Sequence, residues 1–356
     1  MKTEKEIKCL IWDLDNTMWT GTLAENDSCR LKTGVTSILQ TLDSRGILLS
    51  IASTNEIEPV MAELNRHDIS RYFLQPQISW NNKIKSITTI ARRLDLALNT
   101  IGFIDDEPFE LAQVRELLPE VRTYSADEYF LLPELPEFNP QFITDESRRR
   151  REMYFHTEQR KAAERDCNWN RTEFLKWTDT RLLLRRAYED DFSRIMELMN
   201  RTSQLNATGM IYSEESVRHF LSDSSYRVYV ALLKDRFVDY GKIGVAICQQ
   251  HERKWRVLSF LVSCRVLGRG ISSVFLNLVR REAHNEGADL FEACYREQKR
   301  NRRMLMLYSL SGLTHSGDED NGLSIYSGFS YRKYSVPKWL TITSEMTSEK
   351  VSSATD

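Results

Sequence analysis

Residues 8–21 read KCLIWDLDNTMWTG, and the first half of the chain is organised around them. A short apolar run, residues 9–12, ends at two carboxylates, Asp13 and Asp15. Such a run is typical of a buried strand, and functional residues of α/β proteins collect where parallel strands end. One carboxylate there can act as a nucleophile while its neighbour moves a proton, and both offer oxygen ligands to Mg2+. An isolated pair of this kind would indicate only a polar turn, so the remaining strand ends decide between the two interpretations.

A second apolar run, residues 46–52, ends at Ser53 and Thr54. A serine in this place is more often a helix N-cap than a functional residue. Further on, Lys83 opens an amphipathic helix, a position that the helix dipole disfavours for a cation. A nearby anion explains this lysine better than helix stability does. The exposed-charge alternative applies to its neighbour Lys85.

A third apolar run, residues 101–104, ends at Asp105 and Asp106. Two adjacent carboxylates repel each other unless a cation lies between them and the first acidic pair. Mg2+ is the expected cation, because it prefers oxygen ligands and retains several waters.

The order D-x-D-x-T, Ser, Lys, Asp-Asp resembles the motifs of the haloacid-dehalogenase (HAD) phosphatase superfamily. The resemblance implies that Asp13 is the nucleophile and Asp15 the general acid/base. It also implies a phosphate site formed by Ser53, Thr54 and Lys83, and Mg2+ ligands drawn from Asp13, Asp15, Asp105 and Asp106. Only 37 residues separate Asp15 from Ser53 and 29 separate Ser53 from Lys83, so neither gap holds a large cap domain. We therefore expect an open site that a macromolecular substrate or the second half of the chain closes.

Composition limits the remaining possibilities. A length of 356 residues predicts about two domains. A net charge of −2 and a pI near 6.4 argue against a nucleic-acid partner. Six scattered cysteines indicate neither a zinc site nor a disulfide framework, and reduced thiols fit the cytoplasm. The N-terminus has no signal-peptide pattern, and no apolar run has the length of a membrane span.

The join between the domains is expected after residue 130. Three prolines within residues 131–140 mark a boundary, and the arginine run 148–151 lies in a charged helical stretch. A solvated helix face is the slightly favoured interpretation of that run, and a patch for an acidic partner such as an acyl carrier protein is the alternative. The predicted division is an α/β, HAD-like domain with a Rossmannoid parallel sheet and no large cap at 1–130, a linker and charged helical region at 131–180, an acyltransferase-like domain at 181–340 and a disordered tail at 341–356.

The second half contains a strand, a glycine-containing turn and an amphipathic helix in succession. The turn carries R-x-x-G-x-G, in which glycines let backbone N–H groups approach a phosphate at a helix N-terminus. It resembles the pyrophosphate loop of GNAT-type acyltransferases, which implies CoA or phosphopantetheine as ligand and an α+β fold. The residues assigned to that ligand are Arg265, Gly268, Arg269, Gly270 and the downstream Asn301.

Cys264 directly precedes this turn, where the reactive end of a pantetheine arm could arrive. Arg265 and Arg269 are close in sequence and would favour its thiolate. A catalytic thiol and a small packed strand residue are equally good interpretations of Cys264.

The two halves together resemble the FkbH-like family, a HAD subfamily IIIC phosphatase domain joined to a GNAT-like domain. The matching stretches are KCLIWDLDNTMWTG, IASTN, ISWNNK, FIDDEPFE, NRTSQLNATG, DRFVDYGKIGVAI and FLVSCRVLGRG. The resemblance implies Mg2+-dependent removal of phosphate from D-1,3-bisphosphoglycerate. The glyceryl unit would pass to the phosphopantetheine thiol of an acyl carrier protein in polyketide-type biosynthesis.

Two alternatives to this function remain open. One is a phosphatase fused to a CoA-dependent N-acetyltransferase that acts on an amine. The other is a non-catalytic scaffold that binds a carrier protein. The complete acidic set of the first half argues against the scaffold.

Overall fold

The computed structural model describes residues 6–23 and 29–345, and it divides into two compact units, residues 1–155 and 156–356. The fold class is confirmed, since one unit contains a parallel sheet and the other a mixed sheet. Among the described residues, none of the helices combines the length and the apolar character that crossing a membrane requires.

The first unit is built on a five-stranded parallel sheet in the order β5-β4-β1-β6-β7. A short β2–β3 hairpin lies outside it. The strands are β1 Cys9–Trp12, β2 Trp19–Thr20, β3 Arg30–Leu31, β4 Leu48–Ser53, β5 Gln77–Ile78, β6 Ile101–Asp105 and β7 Arg122–Ser125. The helices are α1 Val35–Ser44, α2 Ile57–Arg66, α3 Lys83–Arg93, α4 Pro108–Leu117, α5 Asp145–Arg148 and the first part of α6 Arg150–Asp166.

Strand β1 is apolar throughout because both of its faces are covered. Successive strand residues point to opposite faces, so Leu10 and Trp12 join one hydrophobic cluster while Cys9 and Ile11 join the other. The strand therefore lies at the centre of the sheet, and its end projects Asp13 between two neighbouring strand ends. Between Asp15 and Ser53 the described residues contain only the hairpin, α1 and β4, and none of these is a large cap.

The proline-containing stretch 131–140 belongs to the first unit rather than to a linker. Leu132 and Phe138 are buried in its larger hydrophobic cluster, and the Ile7 amide donates a hydrogen bond to the Glu137 carbonyl at 2.9 Å. Prolines therefore shape short 3-10 turns that pack on the core here. The structure places the boundary near residue 155, within α6, instead of across 131–180.

The arginine run is not a uniform basic face. Arg150 is buried, and the Arg151 guanidinium donates hydrogen bonds to Asp43 Oδ1 at 2.9 Å and to the Arg71 carbonyl at 3.0 Å. Half of the run thus anchors α6 to the first unit, which neither the solvated-face nor the partner-patch interpretation anticipated.

The second unit is built on an eight-stranded mixed sheet in the order β13-β14-β12-β11-β10-β9-β8-β15. Its strands are β8 Thr180–Arg186, β9 Tyr226–Lys234, β10 Asp239–His251, β11 Lys254–Val262, β12 Leu290–Tyr295, β13 Thr314–Asp318, β14 Ser324–Phe329 and β15 Leu340–Glu345. Its helices, besides the end of α6, are α7 Arg171–Trp177, α8 Phe192–Arg201, α9 Glu214–Ser222, α10 Ile271–Asn285 and α11 Arg302–Leu310. The predicted antiparallel neighbours β9, β10 and β11 are confirmed.

The start of the predicted disordered tail is an ordered strand. Leu340–Glu345 forms β15, which pairs in parallel with β8 at the edge of the sheet. Alternation of Leu340, Ile342 and Ser344 with more polar residues suits a half-buried edge strand, a pattern that the polar composition concealed. The rest of the predicted tail, residues 346–356, lies outside the described residues.

Strands β11 and β12 pair over only part of their length. Their parallel hydrogen bonding covers residues 254–257 and 290–293. Beyond this stretch, a loop segment takes over the β11 edge: the Ala207 amide donates to the Phe260 carbonyl at 2.9 Å, and the Val262 amide donates to the Leu205 carbonyl at 2.8 Å. The loop segment therefore supplies hydrogen-bond partners for the backbone of β11 just before the glycine turn.

Candidate functional site

Three carboxylates meet at the carboxyl edge of the parallel sheet. Asp13 follows β1, and Asp105 and Asp106 lie at the end of the adjacent β6. One oxygen from each lies within 4.8 Å of the other two. The Asp13 amide donates to the Ile104 carbonyl at 3.0 Å, which continues the sheet pairing and fixes the spacing between the two strand ends.

Lys83 is buried beside these carboxylates at the first position of α3. Its ammonium donates hydrogen bonds to Asp13 and to the Ala52 carbonyl at 2.9 Å, and it lies 3.2 Å from Asp105 Oδ2. The preceding Asn82 caps the helix by accepting a hydrogen bond from the Lys85 amide at 2.9 Å. The anions that the helix position of Lys83 implied are thus the carboxylates of β1 and β6.

Burial raises the pKa of Asp13 to about 6, although the Lys83 charge acts in the opposite direction and the Asp105 charge adds to the increase. Burial likewise raises the pKa of Asp105, against the lowering effect of Lys83. Burial alone would lower the pKa of Lys83, but the charges of Asp13 and Asp105 raise it. The site therefore carries more negative charge than one lysine neutralises.

The donor set fits a magnesium ion. Asp105 Oδ1 accepts a hydrogen bond from the Glu107 amide at 2.9 Å, whereas the buried Asp105 Oδ2 has the Lys83 ammonium 3.2 Å away. Three carboxylates that share one lysine are suited to a hard divalent cation. Asp13, Asp105 and Asp106 are the residues that would hold it.

Thr17 links the two strand ends. Its hydroxyl donates to Asp106 Oδ1 at 2.9 Å and accepts from the Asp106 amide at 2.9 Å. This residue is fully buried, and it orients an otherwise exposed carboxylate toward the group. The threonine in D-x-D-x-T was visible in the sequence, but only the fold reveals which strand it contacts.

Asp15 does not join the carboxylate group as a ligand. Its Oδ1 accepts from Trp19 Nε1 at 2.8 Å and from the Leu23 amide at 3.3 Å, and its Oδ2 accepts from Asn55 Nδ2 at 2.8 Å. These donors hold the carboxylate in one orientation beside the site, a geometry that fits proton transfer rather than the predicted metal binding. The positioning roles of Trp19 and Asn55 were not predicted, because neither residue type signals them in sequence.

Of the two remaining phosphate-site candidates, only Ser53 is enclosed. It ends β4 and is buried, whereas Thr54 is exposed on the following turn. Ser53 therefore lies, with Lys83, among the strand ends that surround the carboxylate group. The exposed Thr54 side chain lies on the turn after β4, outside this enclosed group.

The glycine turn of the second unit precedes α10. Gly268 and Gly270 have φ values of +79° and +74°, a region that favours glycine, and Gly270 is the N-cap of α10. A Cβ atom at either position would meet no atom within 4 Å. Backbone at the helix N-terminus is therefore accessible, as the phosphate-loop interpretation requires.

Two side chains assigned to the same ligand are used within the fold. Arg269 is buried and donates hydrogen bonds to Asp235 Oδ2 at 2.8 Å and to the Tyr240 hydroxyl. Asn301 is fully buried, and its side chain bonds the Asn206 and Arg296 carbonyls at 3.0 and 2.9 Å. Both side chains are thus engaged within the fold, and of the residues assigned to this ligand the turn backbone and Arg265 remain as candidates.

Cys264 begins a short 3-10 turn, Cys264–Val266, and its side chain is half-buried. The neighbouring Arg265 donates to Ser263 Oγ at 3.1 Å. Since Arg269 pairs with Asp235, it does not serve as the cation that the sequence placed near this thiol. A catalytic role for Cys264 stays a prediction.

The sequence matches no protein-family model and no curated protein. Similar solved structures include the N-terminal part of a Bacteroides fragilis protein containing a phosphatase domain complexed with Mg. It is 28% identical, with 38% of this chain and 40% of that chain covered and a TM-score of 0.34. This chain thus matches less than half of that protein's length.

Acetyltransferases match the chain as well. The ribosomal-protein-S18-alanine N-acetyltransferase of Escherichia coli is 13% identical, with 43% of this chain and 96% of that chain covered and a TM-score of 0.34. A GNAT-family acetyltransferase from Streptococcus pneumoniae is 17% identical, with 42% and 98% covered and a TM-score of 0.33. Since these TM-scores all lie below 0.5, the case for function rests on the site residues themselves.

Proposed function

We propose that the first unit catalyses Mg2+-dependent phosphoryl transfer and that the second unit serves acyl transfer. The observation that carries the first part is the meeting of three carboxylates and a buried lysine at the ends of adjacent parallel strands. Phosphoryl transfer depends mainly on positioning and on neutralisation of charge, and this arrangement supplies both.

Each residue of the site has its own role in this reaction. A carboxylate oxygen of Asp13 attacks the phosphorus of a phosphate ester, the bond from phosphorus to the alcohol oxygen of the ester breaks, and that oxygen keeps the electron pair. An acyl phosphate elsewhere on the substrate stays intact for acyl transfer. Lys83 neutralises charge on the phosphoryl oxygens, and the Ser53 hydroxyl donates a hydrogen bond to them. Asp15, held by Trp19 and Asn55, donates a proton to the leaving oxygen and later accepts a proton from the attacking water. A magnesium ion held by Asp13, Asp105 and Asp106 would supply further charge neutralisation there.

More specifically, we propose that 1,3-bisphosphoglycerate is the donor and that the glyceryl unit becomes a thioester on the phosphopantetheine arm of an acyl carrier protein. The family resemblance of the sequence motifs supports this assignment. A phosphoryl site without a large cap domain suits a reaction in which a macromolecule approaches it. Such a reaction would serve polyketide-type biosynthesis in the cytoplasm.

In the second unit, the accessible backbone at Gly268 and Gly270 supports binding of a phosphate-containing acyl carrier, either CoA or phosphopantetheine. Cys264 precedes this turn and is our candidate for a transient acyl acceptor. Loading of the carrier at full rate by the Cys264→Ala variant would eliminate that role.

Intact-mass spectrometry of a carrier protein tests the complete reaction. The pantetheinylated carrier is mixed with this protein, Mg2+ and enzymatically generated 1,3-bisphosphoglycerate. We expect a mass increase equal to a glyceryl thioester, and its loss in the Asp13→Ala variant. Phosphate release without a mass increase would reduce the function to that of a phosphatase. Acetyl-CoA turnover on an amine without any carrier would favour an N-acetyltransferase as the second activity.

A further inference from the structure

A pocket of about 340 Å3 opens beside the carboxylate group of the first unit. One of its walls consists of the residues that follow β4, and the other consists of the residues that precede α3. The lining residues are Asn55, Glu56, Ile57, Glu58, Ile78, Ser79 and Trp80. Apart from Asn55, which holds Asp15, the lining residues take no part in the proposed phosphoryl chemistry.

The sheet fixes the pocket next to the reacting groups. Strands β4 and β5 pair in parallel, with Ser53 opposite Ile78, and the Ser79 amide donates to the Ser53 carbonyl at 3.1 Å. Asn55, a lining residue, donates to Asp15 Oδ2 at 2.8 Å. A molecule in the pocket would therefore lie beside the phosphate-binding serine and share a wall residue with the general acid/base.

Two large apolar side chains of the pocket are left in solvent. Trp80 is 71% exposed and Ile57 is 57% exposed. Single exposed apolar residues are common on protein surfaces, but two that line one pocket beside a reactive group indicate an apolar contact for a ligand. Neither is packed into the hydrophobic clusters of the first unit, so their apolar surface is available to an occupant.

The charges of the pocket restrict the occupant further. Glu56 and Glu58 are both exposed lining residues, and both are carboxylates. The nearby cation Lys83 is buried and already engaged with Asp13 and Asp105. A second phosphate would meet like charges here, whereas an uncharged chain with apolar and hydrogen-bonding parts would not.

We propose that this pocket receives the uncharged pantetheine-type arm of the acyl acceptor, not the second phosphate of the donor. The inference rests on the proposed function, in which the donor carries two phosphates while the arm carries amides, methyl groups and a thiol. Trp80 and Ile57 contact the methyl-bearing part, and the thiol end points toward the acyl phosphate. In this pocket the thiol of the arm is the direct acyl acceptor, in place of a transfer through Cys264. Its sulfur bonds to the acyl carbon, the acyl carbon–oxygen bond to phosphate breaks, phosphate leaves with the electron pair, and the Asp15 carboxylate accepts the thiol proton.

Saturation-transfer NMR with free pantetheine and the full-length protein tests the occupant without requiring turnover. We expect transfer to the pantetheine methyl groups in the presence of Mg2+, and at least a fivefold weaker affinity in the Trp80→Ala variant. Trp80→Phe should restore most of the binding, because an aromatic surface is kept. Leu117→Ala is the matched control: Leu117 is 60% exposed at the end of α4, outside the pocket lining, and its truncation should leave the affinity unchanged.

A second probe identifies the competing occupant. 3-Phosphoglycerate should bind no better in the Glu56→Gln/Glu58→Gln protein if its phosphate lies only at the Lys83 site. Displacement of pantetheine-pocket contacts by 3-phosphoglycerate, with tighter binding in that double variant, would assign the pocket to the donor and overturn the proposal. If the Trp80→Ala substitution does not alter the saturation transfer to pantetheine, the proposal is overturned as well.

Separate measurements distinguish an error in the pocket occupant from an error in the proposed function. Hydrolysis of acetyl phosphate that depends on Asp13 reports the phosphoryl chemistry and needs no pocket occupant. Pantetheine binding that depends on Trp80, without any acylated carrier, would support the pocket and refute the proposed overall reaction. Carrier acylation that proceeds at the same kcat/KM in Trp80→Ala would support the reaction and refute the pocket.

Discussion

The carboxylate group of the first unit and the Asp191 cluster of the second are both enclosed ionic clusters, but their charge balance is opposite. Asp191 accepts hydrogen bonds from Arg185 at 2.7 and 2.9 Å, from the Tyr188 amide at 2.8 Å, and lies 2.9 Å from the Lys242 ammonium. Burial alone would raise the pKa of Asp191, but these donors lower it to about 2. Among the described residues of the first unit, Lys83 is the one cation paired with Asp13 and Asp105, and the pKa of Asp13 is raised to about 6.

This difference separates a structural cluster from a site kept for a ligand. At Asp191 the cations outnumber the carboxylate, so the fold is stabilised by the charges it contains. At Asp13 the carboxylates outnumber the cation. This imbalance is unfavourable for the fold by itself and favours the binding of a further cation. Four variants or conditions can break or sharpen this contrast.

The largest expected effect is on catalysis at Asp13. Asp13→Asn keeps the side-chain shape but removes the nucleophilic oxygen, so phosphate release from acetyl phosphate should fall by roughly 10^3-fold or more. The metal-free variant should unfold at the same or a higher temperature, because one buried negative charge has been removed. Asp191→Asn should do the opposite, lowering the unfolding temperature and leaving kcat unchanged. Equal effects of both substitutions on both measurements would remove the distinction between the clusters.

The next effect concerns Lys83. Lys83→Met leaves Asp13 and Asp105 buried without their cation, and breaking a buried ion pair in this way costs about 3–5 kcal/mol. Chemical denaturation of the metal-free protein measures this loss. The control is Lys85→Met, since Lys85 is an exposed neighbour whose ammonium donates to Asn81 Oδ1 at 3.0 Å. That variant should change the free energy of unfolding by no more than about 0.5 kcal/mol. A similar loss from both lysines would contradict the assigned charge balance.

Magnesium should supply the missing charge. At an Mg2+ concentration about 100 times its dissociation constant, binding to the folded state should add about 2.7 kcal/mol to the free energy of unfolding. Asp105→Asn and Asp106→Asn should abolish this increment, whereas Asp15→Asn should retain it because that carboxylate faces Trp19 and Asn55 instead. Thermal unfolding with and without Mg2+ reads the increment. Loss of the Mg2+ effect in Asp15→Asn would return Asp15 to the ligand set.

The contrast also explains how far sequence reasoning reached. Asp13, Lys83 and Asp105 could be predicted to meet, because parallel strands end at one edge and each residue directly follows or precedes a recognisable element. The orientations of Asp15, Arg269 and Asn301 could not be predicted. Each depends on partners far away in the chain, such as Asn55, Asp235 and Asn206, that no local pattern relates to them.

Boundaries failed for a related reason. The prolines of residues 131–140 predicted a linker, yet Leu132 and Phe138 pack into the first unit's core. The polar sequence after residue 340 predicted disorder, yet β15 gains a backbone partner in β8. In both places a tertiary contact outweighs local propensity, since packing and sheet hydrogen bonds are supplied by residues elsewhere in the chain.

The smallest expected effect is the acid sensitivity of Asp191. Its folded-state pKa of about 2 lies below the ordinary value of 3.8, so the stabilisation that it contributes is complete above about pH 5 and is lost as the pH falls toward 2. We expect a loss of about 1–2 kcal/mol in the free energy of unfolding across this interval, reduced from the full linkage value because Lys242 and Arg185 are partly solvated. Denaturant titrations from pH 5 to pH 2.5 should therefore give a steeper decline for wild type than for Asp191→Asn. Parallel curves would mean that Asp191 has the same proton affinity in the folded and unfolded chains, and the cluster would then stabilise the fold through hydrogen-bond geometry alone.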